Sequence, residues 1–118
     1  MKENQLVEQS LAFAVRIIKL NKYLNSEKNE YVISKQVVRC GTSIGANVNE
    51  ANYAQSKADF ISKMHIALKE TAETEYWLKV LILSEFLSEE LSKSLMSDCM
   101  NIKHMLISTI NTAKEGLK

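Results

Sequence analysis

The feature that most limits the fold of this chain is the scarcity of residues that interrupt helices. Among 118 residues there is no proline, and there are only three glycines. Inside a helix, proline costs about 3 kcal/mol and glycine about 1 kcal/mol relative to alanine. Their scarcity therefore indicates helix along most of the sequence. Because a chain of this length fits one domain with a buried core, we predict a single all-α domain over residues 1–118.

Apolar residues recur at spacings of three and four in four long stretches, the pattern of helices with one buried face. The predicted helices cover roughly residues 5–25, 34–54, 57–84 and 88–115. Short connections between helices of matched length place consecutive helices antiparallel, which predicts an antiparallel up-down-up-down four-helix bundle. The alternative is a long two-helix hairpin that completes its core only in an oligomer.

The polar run 25–30 breaks the helical period, so it is predicted to be the first loop. Ser34 then resembles an N-cap, whose hydroxyl would accept from free amides of the first turn. Ile33 and Val38 occupy the positions of a hydrophobic staple around that cap. These three residues predict that the second helix begins at residue 34.

The later helices have capping signals of their own. Ser56 and Asp59 form a capping-box pattern before the third helix. Ser88, followed by two glutamates, is predicted to cap the fourth helix, where acidic side chains favour the positive end of the helix dipole. Gly116 follows the fourth helix as a candidate C′ glycine.

The first predicted helix has two neighbouring apolar rows. One row contains Val7, Leu11, Ala14 and Ile18, and the other contains Leu6, Phe13, Ile17, Leu20 and Leu24. Together they make a wider apolar face than a simple coiled-coil seam needs. Such a face suits a helix that contacts both its own bundle and a neighbouring subunit.

The middle of the second helix is rich in small and polar residues. Gly41 and Gly45 are costly inside a helix, so we expect another backbone to approach closely there. Ser43, Asn47 and Glu50 project to one side, since they are spaced three and four apart. Two interpretations stay open for these three residues: a hydrogen-bonded helix–helix contact or turn, and a specific contact to a ligand or subunit.

No catalytic, metal-binding or cofactor-binding motif is present in the sequence. His65 and His104 lack a carboxylate at ligand spacing, which indicates surface histidines. Cys40 and Cys99 have no metal-ligand spacing and are predicted to be small buried side chains. We therefore predict a non-enzymatic protein without metal or cofactor.

Two groups of residues have a structural and a functional interpretation. Four glutamates are predicted to be solvated or ion-paired, although they also form an acidic cluster in the sequence. They are Glu50, Glu70, Glu73 and Glu75. Tyr76 and Trp77 are predicted to be core or interface residues, with stacking on a nucleic-acid base as the alternative.

The charge distribution gives only a mild bias. The net charge is +1, with about +3 in residues 1–57 and −2 in residues 58–118. Five basic residues in the first two predicted helices are the candidate nucleic-acid contacts. They are Arg16, Lys19, Lys22, Lys35 and Arg39. No stretch is long and apolar enough for a membrane span, and the N-terminus lacks a signal-peptide pattern, so we expect a cytoplasmic protein.

Three motifs in this sequence resemble a bacterial protein family. They are S-I-G-A-N-V-N-E at 43–50, S-K-A-D-F at 56–60 and K-E-T-A-E-T-E-Y-W-L at 69–78. The family consists of four-helix-bundle proteins encoded by intervening sequences in 23S rRNA genes, often called ribosomal-protein-like. The chain departs from the family pattern at Ala51, where glycine is usual, and at 54–55, where a basic residue commonly precedes the capping serine.

The resemblance implies an up-down bundle and, by analogy with relatives, a ring-like homopentamer. One branch of the family consists of retroelement accessory proteins that bind nucleic acid and a reverse transcriptase through a basic surface. Two functional hypotheses follow. The first is an oligomeric assembly factor associated with ribosomes or nucleic acid; the second is a protein–protein interaction scaffold with no nucleic-acid role. The motif residues Ser43, Asn47, Glu50, Tyr76 and Trp77 are then candidate packing or subunit contacts.

Overall fold

The computed structural model describes residues 2–116, with side chains from residue 5 onward. Its helices are α1 (Lys2–Lys28), α2 (Ile33–Ala51), α3 (Lys57–Leu83) and α4 (Glu89–Glu115). The described residues contain no strand. Three of the helices have 27 residues each, so each is about 40 Å long. This length accounts for the molecular extents of 49 × 21 × 20 Å, and the predicted all-α fold is confirmed.

The four helices form a square in cross-section. α1 packs against α2 and α4, and α3 also packs against α2 and α4, so that α1 and α3 lie on a diagonal. The register between α1 and α2 is antiparallel, because Gly41 lies against Ile17 while Gly45, further along α2, lies against Ser10. With connections of four or five residues, the chain forms an up-down-up-down bundle and closes its own core.

The core runs along the whole bundle and receives side chains from every helix. Its largest fully buried residues include Leu6, Phe13, Ile17, Ile44, Met64, Leu78, Leu95 and Leu106. Cys40 and Cys99 are free thiols and fully buried, as predicted. Burial raises the pKa of both thiols, that of Cys99 to about 12. Their environment keeps them protonated, which suits packing and disfavours nucleophilic chemistry.

The predicted boundary between the first two helices is wrong. α1 continues through most of the polar run 25–30 and ends at Lys28, while α2 begins at Ile33. Ser34 is therefore inside α2 and is not its N-cap, and the predicted staple does not apply. The carboxylate of Glu30 replaces it, accepting from the amides of Val32, Ile33 and Ser34 at 2.7–2.9 Å.

The far end of α2 is also shorter than predicted. The helix ends at Ala51 rather than at residue 54, since residues 52 and 53 form a turn. The amide of Ala54 donates to the carbonyl of Ala51 at 3.1 Å. This turn brings the chain to Ser56 in extended conformation, from which α3 begins.

The predicted caps of α3 and α4 are confirmed. Ser56 Oγ accepts from the Asp59 amide at 3.1 Å, and Ser88 Oγ accepts from the Leu91 amide at 3.1 Å. Gly116 behaves differently from the prediction. Its φ of −65° is right-handed, so it ends α4 without the left-handed turn of a C′ glycine.

The glycines of α2 allow α1 to approach closely. A β-carbon at residue 45 would lie 3.2 Å from the carbonyl oxygen of Ser10, so the expected backbone approach is present there. At Gly41 the neighbour is a side chain instead: a β-carbon would lie 2.9 Å from both Cγ1 and Cγ2 of Ile17. The two glycines thus set the spacing of α1 and α2.

Candidate functional site

The two apolar rows of α1 have different environments. The row containing Phe13 and Ile17 is buried in the bundle. On the other side of the helix, Leu11, Val15 and Ile18 are 64%, 49% and 41% exposed. We refer to these three side chains as the α1 stripe. Large apolar side chains grouped on one side of a helix mark a candidate interaction surface.

A shallow groove lies beside the α1 stripe, between α1 and α2. Its volume is about 340 Å³, and we call it the α1–α2 groove. Its lining residues are Val7, Leu11, Ala14, Thr42, Gly45, Ala46 and Asn49. Several of these have small side chains, so the groove results from the same feature that lets the two helices approach closely.

Ser43, Asn47 and Glu50, the polar residues that project to one side of α2, differ in their partners. Asn47 Nδ2 donates to the carbonyl of Ser43 at 2.9 Å and contacts Ser43 Oγ at 3.1 Å. Glu50 pairs with Lys63 of α3 at 3.9 Å. The hydrogen bonds of Ser43 and Asn47 are thus within α2, while Glu50 connects α2 to α3.

A second ionic contact between α2 and α3 lies nearer the start of α2, about three helical turns from Glu50. Arg39 pairs with Glu73 and lies 3.6 Å from Glu70. Trp77 Nε1 donates to the same Glu73 carboxylate at 3.0 Å. Tyr76 stands edge-on to Trp77, with ring centroids 5.0 Å apart, and is 58% exposed. The indole is therefore held against the bundle, and Tyr76 is the aromatic ring that faces outward.

The glutamates that formed an acidic cluster in the sequence are ion-paired in the structure, as predicted. Glu75 is the most enclosed of them, with a side chain only 15% exposed. It binds Lys79 at 3.0 Å and Lys103 of α4 at 3.1 Å. These hydrogen bonds, that of Lys79 first, lower the pKa of Glu75 below its ordinary value. The carboxylate therefore connects α3 to α4.

The five predicted nucleic-acid contacts do not form one surface. Arg16 turns toward α4, where it donates to Asp98 at 2.7 Å. Arg39 turns toward α3 and is neutralised by glutamates. Lys19, Lys22 and Lys35 are exposed, and none of them contacts a carboxylate of the described residues.

Two of these lysines, Lys22 on α1 and Lys35 on α2, lie at the same level of the bundle, while Lys19 lies on the side of α1 that faces α4. Asn21 Nδ2 donates to the carbonyl of Ser34 at 3.3 Å, which brings the next residues, Lys22 and Lys35, to the same level of the bundle. Lys19 is one helical turn before Lys22 on α1. The structure therefore reduces the predicted basic set from five residues to three.

The two histidines, His65 and His104, lie on the surface, as the sequence indicated. No group of three or more His, Cys, Asp or Glu side chains in that range is arranged to hold a metal ion. In the part of the chain that the structure describes, no helix is long and apolar enough to cross a membrane.

Fold and surfaces together define a helical bundle with exposed apolar and basic patches. The chain belongs to the family of 23S rRNA-intervening sequence proteins, whose family model matches residues 2–108. A solved structure from Bacteroides thetaiotaomicron, described as a protein of unknown function from the S23 ribosomal protein family, is similar over nearly its whole length. It shares 53% identity with a TM-score of 0.93, and the match covers 94% of this chain and 99% of that chain. No functionally curated protein matches this chain.

Two features of these surfaces were missed by sequence reasoning. Val15 was not assigned to either apolar row, although its spacing of four from Leu11 and three from Ile18 was the available signal. The ionic partners Asp98 and Lys103 lie 82 and 28 residues from Arg16 and Glu75. Pairs so distant depend on which helices are neighbours, and no local pattern reveals them.

Proposed function

We propose that this chain is a non-enzymatic, cytoplasmic assembly protein that works by associating with further copies of itself. The exposed α1 stripe is the observation that carries the proposal. Leu11, Val15 and Ile18 leave apolar area in water, and burying such area contributes about 25 cal/mol per Å². A bundle that has already closed its own core gains nothing within one chain from these side chains, so only the surface of another molecule could bury them.

A second copy is the occupant that the arrangement favours. The α1 stripe and the α1–α2 groove form one surface, with a ridge beside a depression. On the diagonal helix α3, Ile66 and Tyr76 are 39% and 58% exposed. Two different surfaces on opposite sides of a subunit give head-to-tail contacts, which close into a ring when the rotation allows. By resemblance to relatives, the proposed ring is a homopentamer.

Adjacent residues on α1 give a matched test of this surface. Leu11→Glu places a charge in the stripe, whereas Ala12→Glu places the same charge on an exposed position about 100° around the helix. We expect light scattering to show an oligomer for the wild type and Ala12→Glu, and a smaller species for Leu11→Glu. Equal masses for the two variants, with both folded by circular dichroism, would contradict the proposal.

Weak nucleic-acid binding is the second candidate function. Lys19, Lys22 and Lys35 support it, since they are exposed and lack carboxylate partners among the described residues. The names of the family and of the similar structure refer to 23S rRNA and to a ribosomal protein. In a ring, each copy would repeat these lysines, so that modest contacts would add together. The net charge of +1 favours binding that is weak and sensitive to salt.

Fluorescence anisotropy with structured RNA and with duplex DNA tests this second function. Replacing Lys19, Lys22 and Lys35 by Gln should weaken binding and flatten its dependence on salt concentration. The matched control replaces Lys69, Lys93 and Lys114, three exposed lysines elsewhere, by Gln. No binding by the wild type at low salt, or equal losses in both triple variants, would leave the protein-only scaffold as the function.

A further inference from the structure

A second groove lies on the opposite side of α1, where α1 meets α4. These two helices pack less closely than any other neighbouring pair of the bundle. The groove has a volume of about 340 Å³, and we call it the α1–α4 groove. Its lining residues are Arg16, Lys19, Leu20, Tyr23, Leu91 and Leu95. It therefore combines an apolar floor with two cationic side chains.

The floor of the α1–α4 groove is rigid. Leu20 and Leu95 are 4% and 1% exposed, so they belong to the core and their positions are fixed by packing. Leu91 is half-buried and packs against that core. A ligand would therefore meet a preformed apolar wall, the usual situation in small-molecule sites of 300–1,000 Å³.

The rim of the groove carries positive charge that the protein does not fully neutralise. Arg16 makes one hydrogen bond, through Nη1 to Asp98 Oδ2 at 2.7 Å, and a guanidinium has five N–H donors. Lys19 contacts no carboxylate of the described residues, and no carboxylate lines the groove. The charge of Arg16 is balanced by Asp98, but its remaining N–H donors and the unpaired Lys19 leave about one net positive charge beside an apolar floor, which is complementary to a molecule with one anionic group and one apolar part.

We infer that the α1–α4 groove binds a small amphipathic carboxylate. Its apolar chain lies along Leu20, Tyr23 and Leu91, and its carboxylate lies between Arg16 and Lys19. The groove is separate from the α1 stripe and the α1–α2 groove, so this inference does not depend on self-association.

Titration of the ¹⁵N-labelled full chain with decanoate, below its micelle concentration, tests the inference. We expect saturable amide shifts concentrated in residues 16–23 and 91–95. Octanoate should bind about tenfold more weakly, because two fewer CH₂ groups are buried. Decyltrimethylammonium has the same chain with the opposite charge, and it should bind much more weakly. Shifts that do not saturate, or equal binding of the cationic molecule, would overturn the inference.

Two charge-reversal variants on α1 distinguish binding in the α1–α4 groove from a general response to net charge. Lys19 lines the groove and Lys22 does not, although both are exposed lysines on the same helix. Lys19→Glu should weaken decanoate binding at least about threefold, whereas Lys22→Glu should change it little. Equal weakening by both substitutions would mean that decanoate responds only to net charge. If an acidic, apolar peptide produces larger amide shifts than decanoate does, the ligand of the groove is a protein segment, and the inference of a small carboxylate is wrong.

Discussion

Gly45 of α2 lies against the backbone of α1, so that a β-carbon at residue 45 would stand 3.2 Å from the carbonyl oxygen of Ser10. Alanine would gain about 1 kcal/mol of helix propensity at this position. The crowding lowers stability, because the neighbouring atom belongs to a helix backbone, which cannot move aside as the end of a flexible side chain can. We expect Gly45→Ala to lower the free energy of unfolding slightly, by less than about 1 kcal/mol, in urea denaturation.

We expect a larger loss of stability when Gly41 is replaced by alanine. Its β-carbon would lie 2.9 Å from two atoms of Ile17, a fully buried side chain that cannot move aside. Overpacking of this type costs about 1–3 kcal/mol, so Gly41→Ala should be destabilising on balance, by up to about 2 kcal/mol after the gain of about 1 kcal/mol in helix propensity. Gly116→Ala is the control, since its nearest contacts are 3.4 Å away and ordinary. A Gly41→Ala protein as stable as the control would refute the packing described here.

Glu30 caps α2 with both carboxylate oxygens. Oε1 accepts from the Ser34 amide at 2.7 Å, and Oε2 accepts from Val32 and Ile33. Glu30→Ala leaves these amides without that partner and should cost about 1–2 kcal/mol of stability. Glu27→Ala, at an exposed position on α1, should have little effect. The measurement is again urea denaturation, and equal losses in the two variants would assign the cap to something other than Glu30.

Glu85 connects α3 to α4 in a left-handed conformation, with φ of 63°. A side chain with a β-carbon pays about 1 kcal/mol in this region, and glycine does not. Glu85→Gly should therefore raise the melting temperature by a few degrees. Asn29 has a similar φ of 52°, but asparagine tolerates this region well, so Asn29→Gly should change stability less. A decrease in melting temperature for Glu85→Gly would mean that the Glu85 side chain has a stabilising contact.

The lowered pKa of Glu75 predicts a pH dependence of stability. Because its pKa is lower in the folded state than the ordinary 4.5, its ion pairs stabilise the protein above that value and are lost as pH falls through the folded-state pKa. Glu75→Gln should be less stable than the wild type by about 1 kcal/mol near neutral pH. The difference should shrink as pH falls below 4.5. A difference that is constant down to low pH would contradict this assignment.

Glu89 provides the control for that pH series. It pairs with Lys93 at 3.1 Å, but both side chains are mostly exposed, at 84% and 76%. Exposed pairs contribute about 0–1 kcal/mol. Because Glu89 also lies in the first turn of α4, Glu89→Gln should cost a few tenths of a kcal/mol to about 1 kcal/mol near neutral pH, less than Glu75→Gln, and this smaller loss should also shrink at low pH.

The fold was largely predictable from the sequence because its signals are local. Apolar spacing and the scarcity of helix-breaking residues indicated four helices, and Ser56 and Ser88 marked two starts correctly. The start of α2 was predicted to within one residue, but its cap was predicted wrongly, since the capping carboxylate belongs to a glutamate four residues before Ser34, just after the left-handed residue Asn29. Sequence patterns favour short side chains as caps, so a reaching carboxylate is not recognised.

The surfaces were less predictable, because they depend on which side of each helix meets a neighbour. Two apolar rows on α1 were visible in the sequence, but only the packed structure distinguishes buried Ile17 from exposed Ile18. The five predicted basic contacts do not share one surface for the same reason: Arg16 and Arg39 turn toward carboxylates of α4 and α3. Charge counts along a chain do not reveal such pairing.

Self-association is the central claim, and sedimentation equilibrium of the wild-type chain tests it most directly. One chain has a mass of 13.4 kDa. The proposed homopentamer should sediment with a mass of about 67 kDa, and Leu11→Glu should reduce that mass while Ala12→Glu should not. A wild-type mass of 13.4 kDa at all micromolar concentrations would contradict the account, since the α1 stripe would then remain in water.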